Sequence, residues 1–369
     1  MRKTSFLIIN GTVYRRGPGS TGGSRVRRSI PRVLSRNSAA GGVPVTAESG
    51  DPLTICCYHD YHPRVRQEVL RALLPVAANA NRSRAKHVSR RLLGTMITYG
   101  YTGLCLDSEL DLAQRLGAEV LEILPDWRAL PDAGVVRQAV ADRGLSIHSA
   151  HGCWGGRAIK ASRVDLGETA VYRESADDLK RCIDWLQEAG GTFLVVHPGA
   201  LSSVDDRAAR RACLARGLTE LADHAEGSRV VVCVENMPPG VHPGSLMGEL
   251  FELLGELDRP GLALALDTGH AHISAELCAE TAAAGSLLAT THVHDNDGHR
   301  DSHDAPGGGT IDWVAWASAL DRIDYHGPIM LECIRQLRED PGLFCPAVLA
   351  PLTRLPSSTG PAQRSGCSE

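Results

Sequence analysis

From Leu92 onward, short apolar runs alternate with stretches in which apolar residues recur at helical spacing, a pattern that predicts a strand–helix repeat. Strands are predicted at 94–100, 118–124, 145–148, 192–197, 229–235, 262–267, 287–294 and 328–332. Helices are predicted over 107–116, 131–143, 176–189, 205–225, 244–257, 275–284 and 311–323, with a last helical stretch near Gln336. The strands read as near-continuous apolar runs, as in parallel sheets covered on both faces. Eight strand–helix units predict an α/β fold, a (β/α)8 TIM barrel. The rival is an open, doubly wound sheet, but no GxGxxG turn follows any of these strands.

Outside that repeat the pattern changes. Met1 to Ala47 contain no Asp or Glu, many Arg and Ser, and Gly-rich turns such as Gly17-Pro18-Gly19. Such composition fits an organellar transit peptide, a basic arm, or an upstream extension of the true start. The chain's 35 Arg against 4 Lys point to a GC-rich genome and favour the last. One helix is predicted at 63–74, where Val65, Val69 and Leu73 recur and Pro75 follows. Residues 1–91 are therefore expected to be a largely disordered extension without catalytic residues, 92–350 the barrel, and 351–369 a disordered tail.

Charge sharpens this division. Residues 1–91 hold 17 Lys and Arg against 4 Asp and Glu, whereas the rest holds 22 against 39, giving a net charge of -4. An acidic body argues against nucleic acid as a partner, since binding there needs Lys and Arg to replace counterions. No run of about 18 apolar residues is present, so no membrane span is expected. Eleven scattered cysteines without a CxxC pair suggest reduced thiols and a cytoplasmic protein.

The chemistry concentrates between Thr290 and Trp313, where four histidines and five acids crowd together. Taken alone, this could be a turn-rich loop. Barrel enzymes, however, gather their active residues at the carboxyl ends of the strands. Those ends carry His148, His197, Glu235, Asp267 with His270, His294 with Asp301 and His303, and Glu332. A single such residue means little, and Asp267 could simply cap the next helix. Nine metal-ligand types together are harder to explain by structure, because ionised carboxylates in a barrel mouth need compensation. A bound divalent cation would supply it. The loop residues His151, Trp154, Arg157, His299 and Arg300 are candidates for substrate contact, and Glu122 leans towards a structural role.

His197-Pro198-Gly199, Glu235-Asn236, Asp267-Thr268-Gly269-His270, the His294–Trp313 stretch and Glu332 together resemble the xylose isomerase-like TIM-barrel superfamily. That superfamily includes sugar-phosphate isomerases and epimerases, inosose dehydratases and AP endonuclease family 2 (endonuclease IV). The resemblance covers roughly Leu92 to Cys345. It implies that Glu235, Asp267, His294 and Glu332 hold a catalytic metal. It further matches His148 and His197, bridged by Glu235, to a second metal position, and His270, Asp301 and His303 to a third. One to three ions of Mn2+, Zn2+, Co2+ or Mg2+ are thus implied.

The activity expected from the resemblance is isomerisation or epimerisation of a sugar, sugar phosphate or cyclitol through a metal-stabilised enediolate. Glu235 and Glu332 would be the acid/base pair and His270 would steady a substrate oxygen. The alternatives are a zinc-dependent phosphoester hydrolase of the endonuclease IV type and a cyclitol or sugar-acid dehydratase. The chain departs from endonuclease IV at its first strand, Thr95-Met96-Ile97-Thr98-Tyr99-Gly100, which lacks the His-Val-Ser and paired glycines. An aromatic content of 4% also offers little with which to wedge a duplex. The oligomeric state stays open, a homo-oligomer included.

Overall fold

In the computed structural model the described residues are 90–100 and 105–355, with the backbone of five short strands nearer the N-terminus. Those five belong to a separate unit, Met1–Val88. Ser5–Ile9, Thr12–Arg16 and Ser24–Arg25 form one antiparallel sheet, and Gly41–Thr46 pairs with Pro52–Cys57 in another. The helix expected at 63–74 lies outside the described residues, as does the tail beyond 355.

The second unit is the barrel. Its strands are β1 (Leu93–Tyr99), β2 (Val120–Pro125), β3 (Ser146–His151), β4 (Phe193–Val196), β5 (Val231–Glu235), β6 (Leu262–Asp267), β7 (Leu288–His292) and β8 (Ile329–Leu331). All neighbours pair in parallel, in the order β7-β6-β5-β4-β3-β2-β1-β8. The ring closes between β7 and β8, where the Val293 amide donates to the Met330 carbonyl (2.8 Å) and the Glu332 amide to the Val293 carbonyl (3.1 Å). A parallel sheet rolled in this way buries both strand faces, and β2 and β6 are buried at every position.

The covering helices are α1 (Leu106–Leu116), α2 (Ala133–Asp142), α3 (Tyr172–Ala189), α4 (Arg207–Ala225), α5 (Met247–Leu257), α6 (Thr268–Ser274), α7 (Leu277–Ala284), α8 (Trp313–Arg322), α9 (Ile334–Glu339) and α10 (Pro346–Thr353). The longer ones bury an apolar stripe, which on α3 is Leu179, Cys182, Ile183 and Leu186. Asp132, Asp267 and Asp312 cap α2, α6 and α8 with side-chain oxygens. Sequence spacing did not signal α6, because its seven residues directly after β6 are too few to show a period. Nor did it signal α10, which carries Pro351 inside it and takes the described chain past 350. The cysteines at the described positions are free thiols. Among the described residues no helix is long and apolar enough to cross a membrane.

The ends of this unit are tied by a residue that composition assigned to the extension. Arg91 is fully buried. Its guanidinium donates to the carbonyls of Tyr325 (2.9 Å), Leu352 (3.1 Å) and Arg354 (2.8 Å) and pairs with Asp321. One side chain thereby joins the entry to β1, the end of α8 and the end of α10. The barrel accordingly begins before Leu92, and a cut after Arg91 would remove a structural group. Arg91→Ala in the full chain should cost about 3 kcal/mol, since it strands Asp321 and three carbonyls. Urea unfolding checks this, and a loss under about 1 kcal/mol would mean that the clasp is dispensable.

Candidate active site

The carboxyl ends of the strands converge on an acidic floor. Asn236 follows Glu235 and clamps β5 to β6: its amide donates to the Asp267 carbonyl (3.1 Å) and its oxygen accepts from the Asp267 amide (2.8 Å). Glu235 and Asp267 are thereby held side by side, both buried. From β7, His292 points its Nδ1 at Glu235 Oε1 (3.0 Å) and at Glu332 Oε2 (2.8 Å). Glu235, Asp267, His292 and Glu332 each offer one ligand atom within 4.8 Å of the others. His151 also reaches this floor, with Nε2 3.6 Å from Glu235 Oε2, and His197 Nε2 lies 3.2 Å from the same oxygen.

A second group stands beside the first. His270 and His303 direct Nε2 at Asp301 Oδ2 (3.2 and 3.4 Å), while His294 Nε2 lies 3.0 Å from Asp267 Oδ1 and stacks on His303 at 4.0 Å. These four residues likewise bring ligand atoms within 4.8 Å. A methyl group on Gly269 would overlap the His294 imidazole, so that close approach requires glycine. The loop carrying Asp301 and His303 is built around Asp295. The buried Asp295 carboxylate accepts from the amides of Asn296 (2.9 Å), Gly307 (2.9 Å) and Ile311 (3.1 Å) and from Trp313 Nε1 (3.0 Å).

Charge is compensated differently in the two groups. Burial would raise the Glu235 carboxyl, but His292, with hydrogen bonds from His151, His197 and His292, holds it well below its ordinary range. Burial opposes ionisation of Glu332 too, and His292 keeps it low. Burial would lower His292, yet Glu122, Glu332 and Glu235 push it well up. In the second group Asp301 lies between two imidazoles. Burial disfavours the charge on His270 and His303, but the neighbouring carboxylates raise both to about 10. Every acid there has an imidazole partner. On the floor, by contrast, Glu122, Glu235 and Glu332 converge on the one imidazole of His292. Buried carboxylates converging in this way fit a divalent cation, which the residues Glu235, Asp267, His292 and Glu332 could hold.

Above the floor opens a cavity of about 610 Å³ lined by His151, Trp154, Arg157, His197, Arg335 and Arg338 among others. Trp154 packs over His151 with ring centres 4.6 Å apart. The structure thus gathers Glu235, Asp267, Glu332, His197, His270, His294, Asp301, His303, His151 and Trp154. It changes four expectations. His292, passed over in the sequence, occupies the place expected for His294, which belongs to the second group. His151 stands on the floor rather than only at its rim. His299 and Arg300 are exposed and line no part of the cavity, because Asp297 accepts from both their amides (2.9 and 3.0 Å) and turns the loop tip outward. His148 lies apart from both groups.

A closed parallel barrel with imidazoles and carboxylates gathered at its carboxyl mouth defines a TIM-barrel protein. Residues 110–344 match the family model described as xylose isomerase-like TIM barrel, and the chain belongs to that family. It is 29% identical over 240 residues to an L-ribulose 3-epimerase of Methylomonas sp. (strain DH-1), covering 63% of this chain and 79% of that protein. It is 27% identical over 207 residues to a ketose 3-epimerase of Arthrobacter globiformis, covering 54% and 68%. Among solved structures, a D-tagatose 3-epimerase-like protein superposes with a TM-score of 0.59 at 19% identity, over 70% of this chain and 97% of that one. At these identities the structural likeness speaks for the fold alone.

His148 explains a different property. Strand β3 has a register shift opposite Leu121 and Glu122, then continues to His151. His148 falls at that irregularity, its ring 4.7 Å from Phe193 and its buried Nε2 without a hydrogen bond. Burial lowers it to about 4, with Glu122 opposing. An unfolded histidine titrates near 6.5, so between these values the unfolded chain binds more protons. Stability present above pH 6.5 is therefore lost as pH falls towards 4. His148→Phe should remove this sensitivity, sparing about 2 kcal/mol of the loss between pH 7 and 5. Urea titrations at both pH values check it, and equal losses in both proteins would refute the assignment.

Proposed function

We propose that the chain is a divalent-metal-dependent epimerase or isomerase of a ketose, its phosphate or a related cyclitol. The observation that carries this reading is the convergence of Glu235, Asp267, His292 and Glu332, whose ligand atoms lie within 4.8 Å of one another. The relatives named for L-ribulose and ketose 3-epimerisation support the substrate class. A cation held there would act as a Lewis acid towards a bound carbonyl and make the neighbouring C–H acidic.

The protein's own residues do the rest. Glu235 and Glu332 come from β5 and β8, three strands apart round the ring, so their carboxylates reach the axis from different sides. One takes the proton from carbon and the other, carrying a proton of its own, delivers that proton to the opposite face, which inverts the centre. His292 Nδ1 lies between the two, 3.0 Å from Glu235 Oε1 and 2.8 Å from Glu332 Oε2. His270, fixed by its Nδ1 on the Asn236 carbonyl (2.8 Å), turns Nε2 to Asp301 and the cavity, where it can donate to a substrate oxygen. Trp154 covers the cavity wall and excludes water from the floor.

A second reading, phosphoester hydrolysis on several clustered metals, draws on the group of His270, His294, Asp301 and His303. In that group one acid, Asp301, meets two imidazoles, whereas on the floor three acids meet His292, and this favours a single cation on the floor.

Incubation with ketoses, ketose phosphates and cyclitols in D2O should introduce deuterium at carbon, detected by NMR. Glu235→Gln should lower that exchange at least 10³-fold, and the exposed control Glu339→Gln should leave it unchanged. His292→Ala should lose both Mn2+ and turnover. His303→Ala should keep Mn2+ near one per chain and mainly raise KM. Elemental analysis beside kinetics decides: metal and most of kcat lost with His303→Ala would support the multinuclear reading.

A further inference from the structure

Glu122 takes no part in the scheme above, yet it is fully buried on β2 beneath the floor. Its Oε1 lies 2.8 Å from His292 Nε2, and its Oε2 accepts from Ser149 Oγ of β3 at 2.5 Å. A carboxylate can only accept, so His292 Nε2 carries a hydrogen towards Glu122. Nδ1 faces Glu235 and Glu332, and it is the nitrogen that would give up its proton to present a lone pair to a cation held there.

Other imidazoles of the site are oriented differently. His151, His270 and His303 each place Nδ1 on a backbone carbonyl, of Gly152 (2.8 Å), Asn236 (2.8 Å) and Glu332 (3.0 Å) respectively, and turn Nε2 inward. His292 is reversed, and a charged side chain backs it. Carbonyl backing follows from the backbone wherever the strand ends lie. Carboxylate backing had to be supplied by a particular side chain on another strand, in an otherwise apolar run (Val120, Leu121, Ile123, Leu124). An acid there is costly unless something uses it.

We propose that Glu122 is a positioning residue: with Ser149 it fixes the tautomer and ring orientation of His292 and thereby sets how tightly the floor holds its cation. This rests on the reading of His292 as a ligand. A carboxylate behind a ligating imidazole makes the imidazole more basic, and loss of such a partner typically weakens metal binding 10–100-fold. Glu122 touches neither substrate nor reacting atoms, so its loss should be repaired by excess metal.

The test is Mn2+ affinity of the full chain, by competition with a chelator, for wild type, Glu122→Gln, Glu122→Leu and Ser149→Ala. Glu122→Gln keeps the shape and an accepting oxygen but not the charge, and should bind Mn2+ about 10-fold more weakly. Glu122→Leu should lose about 100-fold, and Ser149→Ala a few-fold, with kcat returning towards wild type at saturating Mn2+. In the Zn2+-loaded protein, NMR should show His292 protonated at Nε2. Wild-type affinity in Glu122→Gln overturns the proposal even if Glu122→Leu does not fold, and so does His292 protonated at Nδ1. A wild-type chain that takes up no Mn2+ would instead overturn the metal reading itself, and this inference with it.

Discussion

The structure depends on the mutual repulsion of carboxylates held where water is scarce. Glu122, Glu235 and Asp267 are buried at the barrel's mouth, with Glu332 nearly so, and His292 is the imidazole that reaches three of them. Such an arrangement cannot persist on packing alone, because desolvating each charge costs several kcal/mol. It persists because the backbone is locked around it. The Asn236 clamp fixes β5 against β6, the Asp267 cap fixes α6, and the Val293 bridges fix β7 against β8. Rigidity of the ring is thus what allows like charges to stay close, and closeness is what would make a cation bind.

The architecture was legible in the sequence because most strands are apolar runs between helical periods, and the limits of β6 at Leu262 and Asp267 came out as read. Glu235, Asp267 and Glu332 were legible for the same reason: each ends its apolar run. What could not be read was parity. When both faces of a strand are buried, alternation no longer marks which residues point to the axis. His292 and His294 differ by two positions on a strand end where the chain has begun to leave the sheet, and only their partners tell them apart. His148 and His151 were exchanged by a register irregularity that no pattern of residue types announces.

Other misreadings came from treating charge as surface. Arg91 looked like the last residue of a basic extension, yet it is buried with carbonyl and carboxylate partners, the exception that the usual burial preferences allow. Conversely, His299 and Arg300 sit in the most ligand-rich window of the chain and point away from the cavity, since the local bonds of Asp297 outweigh any distant attraction.

The two imidazole groups also differ in what holds them, and this bears on what each can do. His270 and His303 are oriented by backbone carbonyls that move only if β5 or β8 moves, and their inner nitrogens already meet Asp301. A paired group of that kind has no electrostatic need of an ion and can present N–H donors to oxygens of a ligand. The floor is the reverse, with Glu122, Glu235 and Glu332 converging on the single imidazole of His292. Adjacent sites sharing Asp267 and Glu235 thus have opposite electrostatic demands, one for a cation and one for acceptors. A polyhydroxylated carbonyl compound offers both at once, with carbonyl and hydroxyl oxygens for the cation and further hydroxyls for the donors. That complementarity is why a sugar suits this mouth better than a substrate with a single anionic group.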